Sequence, residues 1–216
     1  EQPREYRAVM REATRLAGGL PDHRPGDMPR NDVAVFMGPR LSGYSSIDVE
    51  DLTKVEIESR RVMTTMLDFY AGNVPGFEEA WVMATAPQIG TRHSRRLIGV
   101  ERLTREDWTT GRIFEDEIAI TPPPNPRNPN ISIPLGCMIP RRLDNLLAAG
   151  RNFSCDPVTH TFMRYIAQCW QMGQAAGIAA SLSSGSGVPV RDVEIEKVRA
   201  ESARQGVVLR RESATG

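Results

Sequence analysis

Between Thr121 and Pro129 the chain carries five prolines in nine residues. Proline offers no amide hydrogen to a ladder and fixes its own φ, so this stretch cannot enter a central sheet and reads as a surface loop. Apolar, β-branched runs flank it on both sides. Ile113–Ile120 and Ile131–Ile139 read as strands.

Helical periodicity occupies much of the rest. Tyr6, Val9, Met10, Ala13, Leu16 and Ala17 recur at three- and four-residue spacing, which predicts an amphipathic helix over residues 3 to 17, ended by Gly18-Gly19. Residues 20 to 30 read as a loop and Val33–Met37 as a short strand. A long helix is expected from Val49 to Tyr70, capped by Ser45–Asp48 and stopped by Gly72 and Pro75, with a shorter one over Phe77–Thr85. Leu97–Val100 and Leu146–Ala149 read as strands. Thr104 and Asp107 have capping-box spacing. A helix from Thr159 to Leu182, one from Val193 to Arg204 and a strand over Val207–Leu209 complete the pattern. No repeat and no regular βαβ alternation is present, so the fold class is α+β.

Charge narrows the partners. The 216 residues hold 27 basic and 27 acidic side chains. A nucleic-acid or acidic-membrane binder carries a basic excess, so neither is expected. Lysine occurs only at Lys54 and Lys197, and every other basic residue is arginine. Most of that bias is compositional, but arginine's planar fork also suits carboxylate and phosphate. Cys137, Cys155 and Cys169 match no metal or redox spacing, and an odd count argues against a disulfide framework. A reducing, cytoplasmic location is the expectation. No apolar run is long enough to span a bilayer, and no secretory leader opens the sequence. The first residue is Glu1, which suggests a processed, trimmed or split chain.

Three segments carry candidate chemistry. Arg92-His93-Ser94-Arg95-Arg96 is the densest basic cluster, either an anion clamp beside a titratable His or a solvated stretch. Strand alternation would put Arg92, Ser94 and Arg96 on one face. Leu146–Gly150 runs an apolar segment into glycine, then Arg151 and Ser154, which allows a ligand to approach the backbone closely or simply makes a tight turn. Gly173, Ala176, Gly177 and Ala180 share a helix face at three- and four-residue spacing, which asks for a close neighbour. His23, His93 and His160 are scattered without metal-ligand spacing, and no metal is expected. No dinucleotide fingerprint or phosphate loop is present.

Taken in order, these segments resemble the carboxyl-terminal part of the bacterial FAD-dependent oxidoreductase family, of the glutathione-reductase-like class. The resemblance rests on Asp51-Leu-Thr53, Pro75-Gly-Phe77, Ala86–Arg92, Arg95–Gly99, Leu103–Asp107, Phe114-Glu-Asp116, Asn145–Arg151, Ser154, Arg164, Gly173–Gly177 and Gly206. It implies a substrate domain built on an antiparallel sheet over residues 1–140. Residues 141–216 would then be the returning strand and helix of a Rossmann-like FAD domain whose front is absent. It implies FAD as cofactor, with Gly150, Arg151, Ser154, Thr161, Met163, Arg164, Gln174 and Ala175 towards it. In this reading the start of the long helix approaches the flavin. Arg92, Arg95 and Arg96 would meet a small organic substrate, with His93 as base and His160 as the second candidate. His93-Ser94 replaces the Glu-Thr more often found between the arginines. The dinucleotide-binding front would come from a companion chain, the implied partner, or from a missing segment. A structural subunit that has lost the cofactor is the alternative.

Overall fold

The computed structural model describes residues 4–16, 28–30, 32–207 and 209. The chain divides into two compact units between Thr91 and Arg92.

The first unit is built on two helices, α1 (Arg4–Leu16) and α2 (Val49–Asn73). Asp48 caps α2, its carboxylate accepting the Glu50 and Asp51 amides at 3.0 Å each. The helix stops where Val74 turns extended before Pro75, as the residue preceding a proline is pushed out of the α region. Met10 and Ala13 bury against Met66 and Tyr70, and the rings of Phe36 and Phe77 lie 4.9 and 5.4 Å from that of Tyr70. The helix expected over Phe77–Thr85 does not form. Gly76 takes a positive φ of 89°, and the Glu78 carboxylate captures the Gly76 amide at 2.9 Å, so a local turn replaces the first helical turn. Nor does Val33–Met37 form a strand; only Val35 makes an isolated bridge.

The second unit is α+β, as its residue pattern requires. It runs through α3 (Arg105–Thr110), β1 (Glu117–Thr121), β2 (Ile131–Pro134), α4 (Pro157–Met163), α5 (Ile166–Ser186) and α6 (Ile195–Arg204). The proline-rich segment joins β1 and β2 as an antiparallel pair with Ala119 opposite Ile133 and Thr121 opposite Ile131. Both strands are shorter than expected, and the second passes into a 3-10 turn at Leu135–Cys137. The capping box at Thr104 and Asp107 is present.

The helix α5 lies on β1. The Gln168 side chain donates to Thr121 Oγ1 at 2.8 Å and Gln171 to the Ile120 carbonyl at 3.1 Å. Arg199 of α6 donates to the Glu117 and Glu115 carbonyls. One core binds these elements, from Leu103, Ile118 and Ile133 through Met138 and Phe153 to Met163, Met172 and Val198. Residue 140 lies inside this unit, and the core runs across it.

Two expected strands in this unit pair only in part. Segment 97–103 makes single links: Leu97 to the Asn152 carbonyl at 2.7 Å, Val100 to Ile139 and Leu103 to Ser154. Leu146–Ala149 forms no strand, and its Ala148 N–H donates to the Met138 carbonyl at 2.8 Å. An extended segment becomes a strand only beside another edge, and no described residue supplies one here. The single helix expected from Thr159 to Leu182 is two helices. Arg164 closes the first of them still in the α region, and Tyr165 leaves it, at φ −71° and ψ 163°. The carboxyl end of α5 lies at Ser186, past the expected Leu182, and is closed by Gly187, left-handed at φ 72°. Part of Val207–Leu209 lies outside the described residues.

Candidate active site

Helix α4 is positioned by its own first turn. Asp156 and Pro157 stand at the N-cap and first helical position, the residue types those positions favour. The Asp156 carboxylate accepts the Thr159 amide at 2.7 Å, and its other oxygen accepts the Arg105 amide of α3 at 2.7 Å. The Trp108 indole of α3 donates to Thr159 Oγ1 at 3.0 Å, and its ring meets Phe162 edge-on at 5.3 Å. These contacts hold the next residue, His160, at 1% exposure.

His93 reaches the same point from the segment before Leu97. Its Nδ1 lies 3.0 Å from His160 Nδ1, with the ring centres 4.7 Å apart. On its other side, His160 Nε2 lies 2.7 Å from the Arg151 carbonyl. The resemblance named His93 and His160 as separate candidates, and the fold brings them together.

Arginines surround the pair. Burial, and then the His160, Arg164, Arg96 and Arg92 charges, hold the His93 imidazole below the usual histidine range. Burial also lowers His160; the bond to the Arg151 carbonyl opposes that, and Arg96, Arg164 and Arg151 add to it. Arg164 is itself lowered by burial and by Arg92 and Arg151. Its guanidinium stacks on Tyr165 at 5.2 Å, while its Nε is buried with no hydrogen-bond partner. Among the described residues, Arg92, Arg96 and Arg164 form no ion pair with a carboxylate. The result is a neutral histidine pair in a positive field, suited to accept a proton next to a bound anion.

The other expected residues are distributed around this centre. Arg95 is exposed. Gly150 has a left-handed φ of 95° with open space where a Cβ would stand. Ser154, Met163 and Ala175 are buried. Thr161 is exposed and donates to the Pro157 carbonyl, and Gln174 donates to Gln205 at 2.9 Å. Thr161–Arg164 end α4 rather than begin a helix. The helix amino terminus next to them is that of α5, which has no side-chain cap. Gly173 and Gly177 face open space rather than a close neighbour. A groove of about 610 Å³, lined partly by Asn145, Ala176, Ala180 and Val188, holds none of the expected site residues. The positioning role of Asp156 is not among the sequence expectations, although Asp156-Pro157 is a readable helix start.

The chain matches the family described as FAD dependent oxidoreductase over residues 1–201, and it belongs to that family. No curated protein and no solved structure matches it. FAD is the cofactor of the family, and the residues around the histidine pair fit it. The orphaned Arg164 Nε–H is a donor for an acceptor-rich flavin or its phosphates. The open face at Gly150 leaves backbone accessible to a flat ring. Among the described residues, no helix is long and apolar enough to cross a membrane.

Proposed function

We propose that this chain forms the substrate-side and flavin-lining portion of an FAD-dependent oxidoreductase of the glutathione-reductase-like class, acting on a small organic anion. FAD, when bound, supplies a hydride acceptor at its N5. Residues 141–216 line it, through Gly150, Arg151, Arg164 and the amino terminus of α5, with Ser154, Met163, Gln174 and Ala175 behind them. Residues 1–140 contribute the substrate side. Arg92 and Arg96 hold a substrate carboxylate or phosphate, with Arg95 at the rim. His93 takes the proton from the substrate's O–H or N–H as the adjacent C–H bond gives up its hydride. A companion chain carrying the dinucleotide-binding front completes the cofactor site.

The observation that carries this reading is the histidine pair, which sets a proton acceptor beside Arg92, Arg96 and Arg164, none of them ion-paired to a carboxylate among the described residues. Open space over Gly173 and Gly177 supports the companion, since two glycines in a helix cost about 1 kcal/mol each against alanine and are retained where another backbone packs close. The test is to co-express the chain with a candidate companion bearing a glycine-rich nucleotide motif and to record the visible spectrum of the purified complex. A flavin spectrum, with FAD released on denaturation and lost in Gly150→Val, is the expected result. A stable complex without flavin refutes the reading.

A further inference from the structure

The two hydrogen bonds of His160 determine which nitrogen of His93 carries a proton. A carbonyl oxygen only accepts, so the 2.7 Å bond to Arg151 requires a hydrogen on His160 Nε2. In a neutral imidazole the other nitrogen is then an acceptor. The 3.0 Å bond between the two Nδ1 atoms can therefore form only if His93 Nδ1 carries the hydrogen and donates it. The lone pair of neutral His93 then lies on Nε2.

A doubly protonated His93 would donate from Nδ1 in the same way, and the Arg164, Arg96 and Arg92 charges disfavour it at rest. Two further assignments would satisfy the distances. In one, His160 is doubly protonated and donates from both nitrogens. That puts a full positive charge on a side chain 1% exposed, facing Arg96, Arg151 and Arg164, and no carboxylate is among the groups that act on it. In the other, a metal ion bridges the two Nδ1 atoms. The same arginines repel a cation, and among the described residues no third His, Cys, Asp or Glu joins the pair.

We propose that His160 is a positioning residue. Anchored by the Arg151 carbonyl, it holds His93 as the Nδ1–H tautomer and so places the basic lone pair of the neutral ring on Nε2. This rests on the functional reading above for what His93 does, but not for how it is held. When Nε2 takes a proton, the His93 cation still donates from Nδ1, so the contact survives proton transfer and the ring need not turn.

The test is nitrogen NMR on the full chain labelled at its three histidines, in whatever assembly it purifies, with His23→Gln used for assignment. At neutral pH the expected His93 signature is a pyrrole-type Nδ1 and a pyridine-type Nε2, opposite to the preference of imidazole in water. In His160→Phe, which keeps a ring but removes the acceptor, His93 is expected to revert to Nε2–H. In His160→Asn, whose oxygen can accept from Nδ1, the unusual tautomer is expected to persist. Wild-type His93 as Nε2–H, or a tautomer unchanged in His160→Phe, overturns the proposal. Should His160→Phe fail to fold by circular dichroism, the wild-type spectrum alone decides. The measurement needs neither flavin nor substrate. A complex without flavin would sink the oxidoreductase reading and leave the tautomer intact; a wrong tautomer would leave flavin binding intact.

Discussion

Asp156 and Arg105 are 51 residues apart in sequence and joined by a 2.7 Å hydrogen bond from the Arg105 amide to the Asp156 carboxylate. The same carboxylate caps α4, so one side chain fixes the first turns of two helices. Burial pushes its pKa up, but the Thr159 and Arg105 amides outweigh that and hold the carboxyl below the usual aspartate range. Asp156→Ala is expected to cost about 1–2 kcal/mol in urea unfolding, with Asp156→Asn costing less. Because the folded pKa is lowered, the stabilisation is present above the unfolded value and is lost as pH falls through the folded one. An alanine variant as stable as the parent at pH 7 would contradict this.

Glycines in this chain divide into those that are crowded and those that face space. A Cβ on Gly99 would stand 2.7 Å from the Glu101 carbonyl oxygen and 2.9 Å from that of Gly136. Backbone cannot yield as a side-chain tip can, so Gly99→Ala is expected to destabilise by about 1–3 kcal/mol. At Gly173 and Gly177 a methyl group would meet nothing within 4 Å. Alanine at either is expected to stabilise the isolated chain by up to about 1 kcal/mol, read as a raised unfolding midpoint. If a companion packs there, the same substitutions weaken assembly, which sedimentation or gel filtration would show.

Local signals are legible in the sequence where one short segment decides the outcome. The capping box at Thr104 and the proline-rich connection both follow from residues in place. Strands are less legible, because pairing partners are set at a distance. Leu146–Ala149 has the composition of a strand, yet meets no edge among the described residues. The break at Arg164–Tyr165 carries no glycine or proline, and nothing local announces it. The histidines can be named one by one, but their meeting depends on Leu97 docking on Asn152 and on α4 being pinned by Asp156. Sixty-seven residues separate them, and no spacing rule spans that gap.

Acid sensitivity should begin well above the carboxylate range. Both His93 and His160 are held below the ordinary histidine value of 6.5, through burial first. The unfolded chain therefore binds more protons than the folded one below about pH 6.5, and stability falls as pH drops from there through the lowered folded values. The urea midpoint is expected to be lower at pH 5.5 than at pH 7.5. His160→Phe should flatten this dependence while leaving the carboxylate-linked loss, which lies at lower pH. A midpoint equal at the two pH values would show that the pair is not protected from protonation.

The three thiols should differ in reactivity. Burial pushes Cys155 up to about 12 and Cys137 higher still, so almost none of either is thiolate at pH 8. Cys169 is only partly buried; burial raises it, Arg151 opposes the rise, and its Sγ lies 3.6 Å from the Arg164 carbonyl. A disulfide reagent at pH 8 is expected to modify Cys169 first and slowly in the native protein, and all three at once in urea. Because Cys169 sits beside the arginines of the histidine pair, its modification should also shift the His93 nitrogen resonances. Rapid native reaction of a second thiol would mean that the core around Cys137 and Cys155 opens far more readily than its packing implies.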